Sequence, residues 1–134
     1  MTGQAQAMFA SDVASRALGM ELVWAGEGTA EVRMRITRAM VNGHDIAHGG
    51  YLFMLADTAF ACACNSHGAV TVAAGAEISF VTRALLGDDL VATAAMRTRY
   101  GRNGIYDVTI RRGHDIIAEF RGRSRAVEPG PEAP

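Results

Sequence analysis

The chain has 134 residues, of which 49% are hydrophobic and 20% are charged, and its formal net charge is −1. This length and composition predict one globular domain with a single hydrophobic core, and the charge excludes the strongly basic surface typical of nucleic-acid-binding proteins. All 13 basic residues are arginines, which excludes a Schiff base or a lysine acting as general base.

The first elements along the chain are a short helix and a pair of strands. Apolar residues between Phe9 and Leu18 recur at helical spacing, and Gly19 stands where a helix would end. The segment MELVWA is then typical of a strand, and a turn at residues 26–28 leads to TAEVRMRI, in which apolar and polar residues alternate. No basic segment followed by an apolar one precedes these elements, so we expect a cytoplasmic protein.

The apolar run from Gly49 to about His67 predicts a helix, because it is rich in alanine, leucine and methionine and is too long for a typical strand. It is apolar on all sides, so we expect it to be buried all round, with Gly68 as its end. The run is shorter than the about 20 apolar residues that a membrane helix needs. Cys62 and Cys64 would point in different directions on this helix, which favours buried free thiols over a disulfide or a metal site.

After this helix the chain shows only strand patterns, at residues 70–82, 90–100, 105–112 and 116–126, separated by turns that contain glycine. The order of helix, two strands, buried helix and four strands predicts an α+β fold in which a long antiparallel sheet wraps around the central helix. We assign residues 1–127 to this single domain. Residues 128–134 contain all three prolines, and we expect them to form a disordered tail.

Asp57 interrupts the apolar helix and is the only aspartate, glutamate or arginine between Asp45 and Glu77. Ionised carboxylates are rarely buried without a partner. Asp57 therefore either pairs with an arginine from elsewhere in the fold or is present for chemistry, and its position in the sequence is compatible with both.

Three segments carry a family resemblance: NGHDIAHGGYLFMLADTAFACACNS, GIYDV and FRGRS. With these segments the sequence resembles the hotdog-fold acyl-CoA thioesterases, most closely the PaaI type of the phenylacetate degradation pathway. The resemblance implies hydrolysis of small aryl- or arylacetyl-CoA thioesters, such as phenylacetyl-CoA or hydroxyphenylacetyl-CoA, to the free acid and CoA. It implies no cofactor beyond the CoA of the substrate, and no metal.

The same resemblance assigns catalytic roles to four residues. Asp57 is implied as the carboxylate that attacks the thioester or activates a water molecule, and Gly49 as the donor of a backbone N–H to the oxyanion. His48 and Asn42 are implied to position the thioester or the water. Independently of the family, a helix N-terminus with unpaired N–H groups suits an oxyanion, and glycine allows a close approach to the backbone.

The residues expected to bind the substrate are Gly50, Thr58, Arg121, Arg123 and Arg125. The three arginines form a basic row on one face of the last strand, which could hold the phosphates of CoA or could be a solvated face or an oligomer contact. The pair Thr82-Arg83 stands where many relatives carry Arg-Pro, so the CoA contacts in this segment stay open.

Gly49 and Asp57 are eight residues apart, which on one helix separates them by about 12 Å along the axis and about 80° around it. One helix therefore cannot present both residues to the same carbonyl. Two antiparallel central helices from a dimer can, and the resemblance further implies a dimer of such dimers. We expect a homo-oligomer with composite active sites, acting on an acyl-CoA substrate and not on nucleic acid or membranes.

Two other functions on the same fold stay as alternatives. A hydroxyacyl thioester dehydratase needs a histidine with a carboxylate to move a proton, and here the carboxylate lies within the helix that HGG begins. A non-catalytic acyl-CoA-binding module would need an output element. The roughly 18 residues before the first strand are too few for a helix-turn-helix domain.

Overall fold

The computed structural model describes residues 3–127, and the expected tail at 128–134 lies outside them. The helices are Gln4–Ala10 (α1), Val13–Ala17 (α2) and Gly49–Cys64 (α3). The strands are Glu21–Gly26 (β1), Thr29–Arg35 (β2), Thr71–Phe80 (β3), Asp89–Tyr100 (β4), Asn103–Arg112 (β5) and Asp115–Ala126 (β6). Short 3-10 turns occupy Arg38–Met40 and Asn65–His67. From β1 onwards the expected order of two strands, a long helix and four strands is confirmed.

The N-terminal region contains two short helices, so the expectation of a single helix from Phe9 to Leu18 was wrong. Asp12 separates them, because its side chain accepts a hydrogen bond from the backbone N–H of Ser15 and so begins a new helix at Val13. Gly19, with a φ of +79°, follows the end of α2 as expected.

The six strands form one antiparallel sheet in the order β1-β2-β4-β5-β6-β3. The hairpin between β1 and β2 turns at Glu27 and Gly28, which both have positive φ, as a tight two-residue turn requires. Strand β3 lies at one edge of the sheet and is mostly exposed, including Val72 and Phe80. An apolar, unpaired edge of this kind is a surface on which another strand can pair.

The core lies between α3 and the concave side of the sheet. Leu55, Ala59 and Phe60 of α3 are buried against apolar side chains of β2, β4 and β5. Gly122 of β6 is required here, because a Cβ at this position would lie 2.7 Å from the Phe60 ring. This arrangement confirms the predicted sheet around a central helix.

The helix α3 is not buried all round in the single chain, so that expectation was wrong for one face. Gly50 is exposed, and Met54, Asp57 and Ala61 are partly exposed. These four residues, spaced by four, three and four, form one stripe along the helix, which we call the open face of α3. The apolar character of α3 therefore exceeds what one chain can bury.

Cys62 and Cys64 are buried free thiols, as expected, and burial raises the pKa of each to about 12. Within residues 3–127, no helix is both long and apolar enough to cross a membrane.

Candidate active site

The loop before α3 holds Asn42 and His48 in two antiparallel arms. The backbone N–H of Asn42 donates to Ile46 O at 2.8 Å, and that of His48 donates to Met40 O at 2.9 Å. The Asn42 side-chain oxygen accepts from the backbone N–H groups of His44 and Ile46 at 2.8 and 3.1 Å. The oxygen of Asn42 is therefore committed to the loop, which leaves the amide NH₂ as the part that could contact a substrate.

His48 immediately precedes α3 and is exposed. Its carbonyl accepts from Tyr51 N at 3.1 Å, which starts the helix, while its imidazole forms no hydrogen bond within residues 3–127. The backbone of His48 is thus used structurally, and its side chain is available to a ligand.

The N-terminus of α3 begins with two glycines whose amide N–H groups donate to no other group among the described residues. Such free N–H groups at a helix start attract a negative charge. Gly49 is covered on one side by the Phe80 ring, because a Cβ at Gly49 would lie 2.6 Å from Phe80 Cζ. A Cβ at Gly50 would meet no atom of the described residues 3–127 within 4 Å.

A mainly apolar cleft of about 270 Å³ opens beside Gly49. Its lining residues are Ile46, Ala47, Gly49, Leu52, Phe80, Val81, Thr82, Arg83 and Ala84. Asp57 is absent from this lining. The cleft can accept an apolar group next to the helix N-terminus, but within one chain it brings that group to Gly49 and not to the carboxylate.

Asp57 lies in the middle of α3 on the open face, and its carboxylate forms no hydrogen bond or ion pair within the part of the chain that the structure describes. The alternative of an arginine partner is therefore not realised among these residues. Burial raises the pKa of Asp57 above its usual value, and the negative charge of Asp12 adds to this effect. A carboxylate with an increased proton affinity is a stronger general base than an ordinary one.

Thr58 points away from the open face, towards α2. Its Oγ1 lies 2.8 Å from Ser15 Oγ, and both residues are buried. Ser15 Oγ also donates to Asp12 Oδ2 at 2.7 Å. The hydroxyl of Thr58 is therefore part of a polar chain to the N-terminal region, and the substrate contact expected from the sequence stays a prediction.

The arginine row lies on the outer face of the sheet, opposite to α3. Arg121 forms two hydrogen bonds to Asp107 at 2.7 and 2.8 Å, and Arg123 contacts Glu77 at 3.1 Å. Arg125 donates to Asn103 at 3.3 Å. Two of the three positive charges thus have carboxylate partners, and the structure does not bring the row to the start of α3.

The structure joins Asn42, His48 and Gly49 in one region and leaves Asp57 two turns further along the helix. Sequence reasoning missed Phe80, which covers Gly49, and Ser15, which contacts Thr58. The spacing of Asp12 and Ser15 is that of a helix N-cap and its third residue, and this signal could have placed the start of α2.

A family model described as the thioesterase superfamily matches residues 44–118. The acyl-coenzyme A thioesterase PaaI of Escherichia coli K12 is 44% identical over 124 residues, which is 92% of this chain and 89% of that protein. A putative esterase of Deinococcus radiodurans is 40% identical over 108 residues, covering 78% of this chain and 73% of that protein.

Solved structures show the same fold. The structure of the E. coli PaaI protein from the phenylacetic acid degradation operon has a TM-score of 0.89 and 43% identity, covering 92% of this chain and 91% of that chain. A variant of the phenylacetic acid degradation protein PaaI from Thermus thermophilus has a TM-score of 0.83 and 28% identity, covering 87% of this chain and 100% of that chain. These likenesses confirm the α+β hotdog fold that the sequence predicts.

Proposed function

The chain belongs to the thioesterase superfamily, and from this membership we propose that it is an acyl-CoA thioesterase for small aryl- or arylacetyl-CoA thioesters. The observation that carries the proposal is that Asp57, and the N–H groups of Gly49 and Gly50 at the start of the same helix, have no partner among the described residues 3–127. Similarity to the E. coli enzyme supports the reaction class, and the association of that protein with phenylacetic acid degradation supports the arylacetyl group.

In the proposed reaction Asp57 takes a proton from water while the water oxygen bonds to the thioester carbonyl carbon. The oxyanion that forms is held by the N–H of Gly49, and His48 and the Asn42 amide NH₂ orient the thioester or the water. The tetrahedral intermediate then breaks its C–S bond, and the CoA sulfur leaves with the proton returned by Asp57. The products are the free acid and CoA, and water is the only other reactant.

Direct attack by Asp57 on the carbonyl carbon is the second possible course. It would form a mixed anhydride that water hydrolyses afterwards. A single turnover in ¹⁸O-labelled water puts the label in the product acid when water attacks the acyl carbon, and in the Asp57 carboxylate when an anhydride is hydrolysed at the Asp57 carbonyl. Hydroxylamine trapping of the acyl group detects an anhydride that water would otherwise hydrolyse at the acyl carbon. Mass analysis of the Asp57 peptide shows label only in the nucleophilic course.

The proposed active site is composite, with Gly49 from one subunit and Asp57 from its partner. Three observations support a dimer: the offset of about 12 Å between these residues on one helix, the open face of α3, and the exposed apolar edge of β3. Pairing of two β3 edges across a twofold axis would also bring two antiparallel α3 helices together. A dimer of these dimers remains part of the proposal.

The primary experiment measures free thiol release from a panel of phenylacetyl-, hydroxyphenylacetyl-, benzoyl- and short aliphatic CoA thioesters. We expect hydrolysis with a preference for the arylacetyl compounds. Binding without thiol release would instead support a non-catalytic acyl-CoA-binding module. Hydration of an enoyl-CoA without hydrolysis would support a dehydratase.

Complementation tests the composite site. One variant is Asp57→Asn, and the other combines His48→Ala with Asn42→Ala, so each is inactive alone. A mixed dimer would contain one intact site, so doubly tagged dimers purified after co-expression should show about half of the wild-type activity per dimer. Folded mixed dimers that stay as inactive as both parents would exclude sharing of the site across the interface.

A further inference from the structure

The contact between α2 and α3 includes a hydrogen-bond chain that runs from the half-buried Asp12 through two buried hydroxyls and ends one residue from the proposed base. Ser15 has no exposed surface and Thr58 is 6% exposed. A pair of neutral buried hydroxyls contributes little net stability compared with apolar side chains of similar size. The chain Asp12–Ser15–Thr58 therefore calls for an explanation beyond the docking of a five-residue helix.

Counting protons fixes the direction of this chain. Both Asp12 oxygens accept, Oδ1 from the backbone N–H of Ser15 and Oδ2 from Ser15 Oγ. Because Ser15 has a single hydroxyl proton and gives it to Asp12, its oxygen receives the proton of Thr58. Asp12 thus lies at the accepting end of a chain that starts on α3, and its position relative to α3 is held by three hydrogen bonds.

We propose that Asp12 and Ser15 are positioning residues of the thioesterase site: through Thr58, the residue that follows Asp57 on α3, they fix a second carboxylate against this helix, and this carboxylate strengthens Asp57 as a proton acceptor. The inference rests on the proposed function, because it assigns a partner to the base of that reaction. Neither residue touches the substrate in this scheme. Both act through Asp57.

Among residues 3–127, Asp12 is the charged group that we expect to affect the proton affinity of Asp57. Helix α1 contains no charged residue, and Arg16 of α2 is exposed, with its guanidinium donating to Ala10 O. The other titratable side chains on α3 are Tyr51 and the two thiols, none of which is a cation.

The strands that pack on α3 present mainly apolar side chains to it, with Tyr106 of β5 and Ser124 of β6 as buried polar exceptions, while their charged residues lie on the outer face of the sheet. His67, just after α3, contacts the Tyr106 hydroxyl at 2.9 Å, and burial and the charge of Arg99 lower the pKa of His67, which disfavours its cationic form. The charge of Asp12 is accordingly not compensated near Asp57 by a cation among these residues. Its repulsion adds to the effect of burial on the pKa of Asp57.

The test compares the pH dependence of kcat/KM for phenylacetyl-CoA in the assembled wild-type enzyme and in Asp12→Asn. Asparagine is as good an N-cap as aspartate and keeps an oxygen for the Ser15 N–H, so α2 is retained. Asp57 must be deprotonated to accept a proton, so activity falls as the pH drops through its pKa. Loss of the Asp12 charge lowers that pKa, and the acid limb of the profile should move to lower pH.

Three further variants complete the design. Asp12→Ser, another good N-cap without charge, should shift the acid limb in the same direction. Ser15→Ala keeps the Asp12 charge and the N-cap hydrogen bond to the backbone N–H of residue 15 but removes the hydroxyl link to Thr58, so it should shift the acid limb in the same direction by a smaller amount. The matched control is Glu119→Gln on the outer face of β6, which removes one negative charge far from α3 and should leave the acid limb unchanged. Thermal unfolding shows that each variant is folded.

An acid limb at the same pH in wild type, Asp12→Asn and Asp12→Ser would overturn the role of the Asp12 charge. A shift in both Asp12 variants but none in folded Ser15→Ala would overturn the role of the hydrogen-bond chain. Failure of the proposed function is distinct from both results, since it would appear as a wild-type protein that hydrolyses no thioester of the panel.

Discussion

A methyl group at Gly49 tests whether the Phe80 ring limits access to the N-terminus of α3. The Cβ of an alanine here would lie 2.6 Å from Phe80 Cζ, whereas ordinary contacts of a Cβ are 3.4–4 Å. The ring must therefore retreat by about 1 Å, and it can do so because Phe80 is 55% exposed. We expect a steric cost at the lower end of the range for overpacked sites, about 1 kcal/mol.

Gly50→Ala is the matched control, because a Cβ at Gly50 meets no atom within 4 Å in the part of the chain that the structure describes. Replacement of a helical glycine by alanine stabilises a helix by about 0.5–1 kcal/mol, so Gly50→Ala should increase the free energy of unfolding by this amount. The increase in the free energy of unfolding should be about 1 kcal/mol smaller for Gly49→Ala than for Gly50→Ala. In a Phe80→Ala background this difference should disappear.

Urea unfolding followed by circular dichroism measures these free energies, and thiol release measures the effect on catalysis. Gly49→Ala keeps its N–H, but its methyl group and the displaced ring would occupy the space in front of that donor. We expect kcat/KM to fall about 100-fold, the lower value for loss of one oxyanion donor. Equal stabilities of Gly49→Ala and Gly50→Ala would refute the position of the Phe80 ring. Full activity of Gly49→Ala would refute the approach of the thioester to the Gly49 N–H.

Three other predictions concern the base, the assembly and the thiols. Asp57→Asn should lower kcat by at least ~100-fold. It should also be more stable than wild type at pH 7, because ionisation of a carboxyl whose pKa is raised by burial opposes folding, and this advantage should vanish below the unfolded-state pKa of aspartate, about 3.9. Equal melting temperatures of the variant and the wild type at pH 7 would contradict this expectation. Sedimentation at micromolar concentration should show a dimer or a larger oligomer, and a fully active monomer would contradict the composite site. Cys62 and Cys64, whose pKa values are raised to about 12 by burial, should react with a thiol reagent at pH 8 only after unfolding; rapid reaction of the native protein would show that the core opens locally.

The fold was largely predictable because each element has a strong local signal. Strict alternation in TAEVRMRI marks a half-buried strand, and the alanine-rich run after Gly49 marks the central helix. The break between α1 and α2 was missed because the side chain of Asp12 overrides a helical pattern that continues through it. The sheet order, with β3 beside β6, depends on contacts between distant segments and has no comparable local signal.

Only those parts of the candidate site could be predicted in which a single residue or pair is unusual in its local sequence. Asp57 is conspicuous as an isolated charge, and two glycines before an apolar run are conspicuous as a helix start. The contact of Ser15 with Thr58 joins residues 43 positions apart, and the contact of Phe80 with Gly49 joins a strand end to a helix start. Contacts of this kind depend on how elements pack, which hydrophobic periodicity alone does not specify.

The open face of α3 links the stability of this chain to its proposed chemistry. Gly50, Met54, Asp57 and Ala61 lie on one stripe, and three of the four could be covered by a second helix without cost. Asp57 is the exception, because each step of burial without a partner makes its ionisation less favourable. If a partner subunit covers the stripe, the dimer interface that completes the oxyanion site also desolvates the base. Assembly would then raise the proton affinity of Asp57 further, in the same direction as the charge of Asp12.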